Sequence, residues 1–246
     1  MNRIGDYLEL KLNIVEWLTE YHKKSGLESW VIGVSGGIDS AVASTLAAET
    51  GLPVYALGMP INQNRVQREL SEAHLNWLDK NYENVTILKF DLTDTFRTFK
   101  EDLGEHGVGD HALANTRSRL RMVALYQVAG NKKGLVVGTG NKVEDYGVGF
   151  YTKYGDGGVD IAPIADLYKT EVWELGKHLE VDSRIVEAKP TDGLWDDGRT
   201  DEDQLGASYE ELEEAMETGE GPGLEVLQKF NQANKHKMEP IPTFTL

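Results

Sequence analysis

The chain of 246 residues carries 41 acidic against 25 basic side chains, a formal net charge of −16, and no cysteine. Such a balance argues against a general nucleic-acid binder, whose affinity rests on Lys and Arg neutralising phosphates, and the missing cysteine removes disulfides, thiolate metal sites and a cysteine nucleophile together. No apolar run approaches the ~18 residues of a membrane span, and Asp6 and Glu9 fall where a signal peptide needs its apolar core, so a cytoplasmic protein without membrane attachment is expected.

Leu8, Leu12, Val15 and Leu18 recur at helical spacing and predict an amphipathic helix over about Tyr7 to Ser25, ended by Gly26. Apolar runs follow at Trp30 to Val34, Val54 to Leu57, Val85 to Phe90 and Leu135 to Val137. Between them lie helical stripes: Ala41 to Thr50, then Val66, Leu70, Ala73 and Trp77, then Leu113, Leu120, Ala124 and Val128. Continuously apolar strands alternating with helices belong in a buried parallel sheet, so the expected class is α/β, doubly wound and Rossmann-like. Ligands on such a sheet sit beyond the carboxyl ends of its strands.

Gly147 to Asp160 is too glycine-rich for regular structure and is expected as a long loop at that edge. Val172, Leu175, Gly176 and Leu179 mark a further helix opened by Lys169-Thr170, where a cation opposes the helix dipole; an exposed lysine is the plain alternative to one that faces a phosphate. From Asp192 to Glu220 twelve acids face one base, Arg199, and the apolar-poor stretch Thr191 to Gln204 is expected as a mobile flap. Ser208 with Glu211 forms a capping box, and Leu224, Leu227 and Phe230 mark a last helix. With no repeat or hinge linker, a single domain over 1–246 is expected: a core over about 28–190, then the acidic flap and helical extension over about 191–246.

The chemistry concentrates where the first strand stops in Gly33-Val34-Ser35-Gly36-Gly37-Ile38-Asp39-Ser40. A strand turning into a helix aims successive N–H groups and the positive end of the helix dipole at one spot, which suits a phosphate chain. Gly36 and Gly37 let the backbone approach phosphate oxygens, and Ser35 and Ser40 offer hydroxyls. Asp39 repels phosphate unless Mg²⁺ stands between them. There is no G-x-x-x-x-G-K-[ST], and Gly138-Thr139-Gly140-Asn141-Lys142-Val143 lacks the last glycine of a dinucleotide fingerprint. A strand-to-helix turn with a capping serine is the plain alternative.

Ser35-Gly36-Gly37-Ile38-Asp39-Ser40 resembles the pyrophosphate-binding loop of the ATP pyrophosphatase (PP-loop) superfamily, whose fold is adenine nucleotide alpha hydrolase-like. Within it Asn115 to Met122, Val137 to Glu144, Phe150 to Asp160, Glu187 to Thr191 and His236-Lys237 resemble ammonia-dependent NAD⁺ synthetase in order and spacing, from about Trp30 to Lys237. The resemblance implies a C–N ligase that adenylates the nicotinate carboxylate of deamido-NAD⁺ with ATP and displaces AMP with ammonia, the final step of NAD⁺ formation. It implies ATP on Gly33, Val34, Ser35, Gly36, Gly37, Ile38, Asp39 and Ser40 with Thr139, Lys169 and Thr191. It implies Mg²⁺ on Asp39 and Glu144, and deamido-NAD⁺ on Arg119, Lys153, Asp160, His236 and Lys237. Asp39, Lys169 and Asp160 are the catalytic candidates, Asp160 to orient ammonium or take its proton.

Between Glu144 and Lys153 the chain has one residue more than the common bacterial pattern, which makes Asp145 an alternative metal ligand. By periodicity Arg117 and Arg121 share a face of their helix while Arg119 lies with Val123 at the margin of the apolar stripe, its stem packed. Small-molecule substrates and a homodimer with the dinucleotide across its interface are implied as well. With no cysteine, no fused glutaminase is expected, and ammonia is used directly or received from another protein. The rival readings are a tRNA-modifying or GMP synthetase-like member of the superfamily, and a module that binds ATP without turnover.

Overall fold

The computed structural model describes residues 3–191, 193–194 and 199–245. Strands β1 (Ser29–Gly33), β2 (Val54–Gly58), β3 (Val85–Lys89) and β4 (Gly134–Val136) form one parallel sheet in the order β3-β2-β1-β4. Trp30 pairs with Val54 on one side and Leu135 on the other, and a further parallel bridge joins Val137 to Ile161. From β1 the chain steps outward to β2 and β3, then returns across to β4. That reversal opens a crevice beyond the carboxyl ends of β1 and β4.

β1, β2 and β4 are largely buried on both faces while the edge strand β3 leaves Thr86 and Lys89 exposed, and alternation along β1 divides its side chains between the two faces. Trp30 and Ile32 face a core shared with Leu18 of α1 (Tyr7–Ser25), Leu46 of α2 (Ile38–Glu49) and Leu175 of α6 (Lys169–His178). Val31 faces the other way, onto Met122 and Leu125 of α5 (Asp110–Lys132). α3 (Arg65–Asn81) and the short α7 (Ser183–Val186) complete the helical cover. A third cluster joins Val143, Val148, Tyr168 and Tyr209, tying α8 (Asp201–Leu205), α9 (Tyr209–Thr218) and α10 (Leu224–Met238) to the sheet's ligand edge. The doubly wound α/β expectation holds.

Several local expectations change. The buried side of α3 is Leu70, Ser71, His74, Leu75 and Leu78, whereas Val66 is 66% exposed. Likewise α5 buries Ala114, Ser118, Met122, Leu125, Val128 and Ala129, leaving Val123 66% exposed. Arg119 is exposed with it, so neither lies at a packed margin. A helix that the periodicity does not announce, α4 (Thr93–Asp102), buries only Phe96. The glycine-rich stretch begins inside a π-helical turn, Val143–Val148, and is irregular after it. Of the expected flap, residues 192 and 195–198 lie outside the described residues, while Thr200 caps α8. The capping box at Ser208 and Glu211 is present.

Candidate active site

The turn after β1 is braced from within. Ser71 Oγ donates to Val34 O (2.6 Å), Ser35 N and Gly37 N donate to Ser40 Oγ (3.1 Å) and Ser35 Oγ (3.2 Å), and Ser40 Oγ donates to Gly37 O (2.9 Å). The two hydroxyls expected to meet a ligand therefore shape the loop, and the first-turn amides of α2 are left to bind. Gly37 is the N-cap of α2 and supplies no side chain, so those amides are left uncapped with the dipole behind them, an arrangement that suits an anion. Gly36 has φ +94°, and a Cβ there would stand 2.6 Å from Gln67 O and 2.8 Å from Ser71 N, so only glycine fits.

Lys169, the first residue of α6, is 2% exposed, which overturns the exposed alternative. Its Nζ donates to Asp39 Oδ2 (2.5 Å) and Glu144 Oε1 (3.0 Å), so two carboxylates offset the dipole conflict. Burial alone would lower the Lys169 pKa, but Asp39, Glu144 and Asp201 outweigh it and push it up. Burial pushes the Glu144 carboxyl up, Lys169 opposes, and the like charge of Asp39 adds to the rise. Asn141, fully buried, donates from Nδ2 to Asp39 Oδ1 (3.0 Å) and accepts at Oδ1 from Val143 N and Glu144 N (3.1 Å each). One amide thus fixes both acids.

Asp39 and Glu144 are hard oxygen donors that converge on the Lys169 ammonium, and such a donor pair fits Mg²⁺. Among the described residues no group of three or more His, Cys, Asp or Glu could hold a metal ion, so these two would leave the remaining coordination to phosphate and water. Asp145 does not line the cavity; it packs against Gly140 so tightly that a Cβ there would collide. Burial, then Glu144, Asp156 and Asp39, push the Asp145 carboxyl up to about 8. Position at the cavity therefore favours Glu144 over Asp145.

A cavity of about 500 Å³ opens over these groups, lined by Gly33 through Ser40, Thr139, Glu144, Lys169 and Thr191 among others. That volume suits a nucleotide-sized ligand. Arg119, Lys153, Asp160, His236 and Lys237 do not line it. Arg119 Nε donates to Lys153 O (3.2 Å), Lys153 Nζ to His236 O (3.0 Å), and Lys237 Nζ to Gly149 O and Tyr151 O (2.8 Å for the latter). These four link α5, the glycine-rich loop and α10. Asp160 accepts from Tyr126 Oη (2.9 Å) and Val136 N (2.8 Å), beside the exposed side of α5.

Two residues escape sequence reasoning. Asn141 sits in the quoted run after β4 but carries no signal of its own beyond being an amide near glycines. Tyr209, fully buried, places its ring 4.9 Å from Lys169 Nζ and its hydroxyl 2.8 Å from Glu144 Oε1 and 3.2 Å from Asp201 Oδ2. Nothing beside the capping box distinguishes it from a core tyrosine.

Comparison with known proteins adds to this geometry. The NAD synthase family pattern matches residues 11–242. An NH₃-dependent NAD⁺ synthetase of Carboxydothermus hydrogenoformans is 36% identical over 231 residues, covering 91% of this chain and 92% of its own length. An NMN synthetase structure from Francisella tularensis overlays with a TM-score of 0.89 at 33% identity, over 99% of this chain and 100% of that one. The NH₃-dependent NAD synthetase of Campylobacter jejuni overlays at 0.78 with 26% identity, over 98% and 100%.

Proposed function

The chain belongs to the NAD synthase family, and from that premise we propose that it is a C–N ligase that amidates the nicotinate carboxylate of deamido-NAD⁺ with ammonia, using ATP and releasing AMP and pyrophosphate in the cytoplasm. The observation that carries the reading is the buried Lys169 shared by Asp39 and Glu144 at the foot of a glycine loop that presents bare helix amides. A carboxylate is a poor acyl donor. Attack of its oxygen on the α-phosphorus breaks the bond to the β-phosphate bridge, and ammonia then attacks the acyl carbon, so that AMP departs with that carboxylate oxygen.

In this mechanism the amides of Ile38, Asp39 and Ser40 receive the departing pyrophosphate, and Lys169, Thr139 and Thr191 hold the rest of ATP. A fixed ammonium and fixed dipoles stabilise developing charge without reorganising, so positioning carries most of the rate. Asp39 and Glu144 would hold Mg²⁺, which when bound neutralises phosphate charge. Arg119, Lys153, His236 and Lys237 would receive the acceptor dinucleotide, and Asp160 would orient ammonium or take its proton. A homodimer is supported by the exposed apolar side of α5 beside these residues, where Val123 is 66% and Tyr126 40% exposed. The likeness to an NH₃-dependent NAD⁺ synthetase over 92% of that protein's length supports ammonia as the nitrogen source.

The overlay on the NMN synthetase favours a second reading, in which the acceptor is the mononucleotide. Both are tested by incubation with ATP, Mg²⁺ and ammonium plus either deamido-NAD⁺ or nicotinic acid mononucleotide, with amide and pyrophosphate followed by mass and coupled assay. A higher kcat/KM with deamido-NAD⁺ supports the first reading and a higher one with the mononucleotide the second. Amide from neither, with ATP still bound, would leave a nucleotide-binding module.

A further inference from the structure

Lys169 is a long side chain at the first position of a helix, among three carboxylates, and its direction decides whether its charge meets the phosphate loop. α9 fixes that direction. Tyr209 and Glu213 stand one helical turn apart on α9 and grip adjacent residues of α6. The Tyr209 ring lies 4.9 Å from Lys169 Nζ, and its hydroxyl donates to Glu144 Oε1 (2.8 Å), an oxygen that Lys169 also holds. The Glu213 carboxylate accepts from Thr170 N (3.0 Å) and Thr170 Oγ1 (2.6 Å), which satisfies an amide that the first turn of α6 leaves open. Trp173 meets the Tyr209 ring edge-on at 6.1 Å and 78°, locking its plane from the next turn of α6.

Resting on the function proposed above, we propose that Tyr209, supported by Glu213, is a positioning residue: it sets Lys169 and Glu144 at the phosphate loop without touching substrate. Tyr209 does not line the cavity and is fully buried, so it acts only through the groups it holds. The acidic extension beyond the core thus completes the ATP site rather than merely covering it.

Tyr209→Phe isolates the role, because it keeps the ring, the contact with Trp173 and the cation–π geometry and removes only the hydroxyl's bonds, to Glu144 and to Asp201. In the full-length protein, kcat for pyrophosphate release should fall roughly ten-fold or more, since hydrogen bonds to charged groups carry differences of that size. The KM values for ammonium and the acceptor should stay within about two-fold, as neither meets Tyr209. Calorimetric titration with ATP should show affinity within about three-fold of wild type. Wild-type kcat in Tyr209→Phe, or a fall accompanied by an equal change in acceptor KM, would overturn the proposal. If Tyr209→Phe does not fold, Glu213→Gln is measured in its place against the same criteria. Wild-type protein that binds ATP yet amidates neither acceptor would remove the functional reading and this inference together, whereas an active wild type with an unaffected Tyr209→Phe removes this inference alone.

Discussion

Replacing Lys169 by methionine preserves much of the side-chain volume while deleting the charge that Asp39 and Glu144 share at 2.5 and 3.0 Å. Lys169 is 2% exposed, so water cannot substitute for it. Removing one partner of a buried charge group costs about 3–5 kcal/mol, because the remaining charges stay desolvated and here also repel each other. At roughly 2–4 °C per kcal/mol for a chain of this size, the thermal midpoint should drop by about 10 °C near neutral pH. Scanning calorimetry of both proteins with and without Mg²⁺ provides the check. Ten millimolar Mg²⁺ acting on a site of millimolar affinity should return about 1.4 kcal/mol, roughly 4 °C, in the variant. Amide formation should fall by roughly a hundred-fold or more. A midpoint within about 2 °C of wild type would refute the reasoning, since it would mean that the two carboxylates do not depend on this ammonium.

Gly36→Ala forces a Cβ against Gln67 O and Ser71 N at a φ of +94°, whereas a Cβ at Gly37 meets only Ser35 Oγ at 3.5 Å. ATP affinity by calorimetry should therefore drop at least about ten-fold in Gly36→Ala and much less in Gly37→Ala; equal losses would contradict the loop geometry. Asn141→Ala removes the amide that donates to Asp39 and accepts from Val143 N and Glu144 N, and should cost about 1–3 kcal/mol of stability and most of the turnover. Wild-type turnover in that variant would contradict the role. His74, buried and hydrogen-bonded with Ser44 Oγ at 3.0 Å, is pushed down to about 4 chiefly by burial, against the Ala41 carbonyl and Asp182. The unfolded chain takes up a proton near pH 6.5 that the fold refuses, so stability falls as pH drops from 6.5 toward 4, by about 3 kcal/mol in all, and is unaffected above that window. Denaturant titrations at pH 7.5 and 4.5 should show a smaller acid loss in His74→Gln; an identical loss would contradict it.

What was legible in the sequence depended on the kind of signal. The strands centre on runs of Val, Ile and Leu bounded by turn residues, so β1 to β4 fall where those runs place them. α1 ends at Ser25 because Gly26 takes a left-handed conformation with φ 69°. Stripes were less reliable, because α3 and α5 bury polar groups: Ser71 bonds to the backbone of Val34, His74 to Ser44, and Ser118 to Asp156. A satisfied serine or histidine inside does not register in an apolar period, so the buried sides came out displaced. α4 escaped because Phe96 alone anchors it. At the site, Asp39 stands in a dense motif, and the structure joins it to Lys169 and Glu144 across separations of 130 and 105 residues that no local pattern spans. The bond from Tyr209 to Glu144 bridges 65 residues and depends on α9 folding back over α6, which nothing near Tyr209 announces.

The central claim is that the chain joins the acceptor carboxylate to AMP before nitrogen arrives. The most direct measurement labels that carboxylate with ¹⁸O, runs the reaction with ATP, Mg²⁺ and ammonium, and weighs the AMP formed. One ¹⁸O should appear in AMP for each amide made. Unlabelled AMP accompanying labelled loss to water, or ADP and phosphate as products, would contradict the claim.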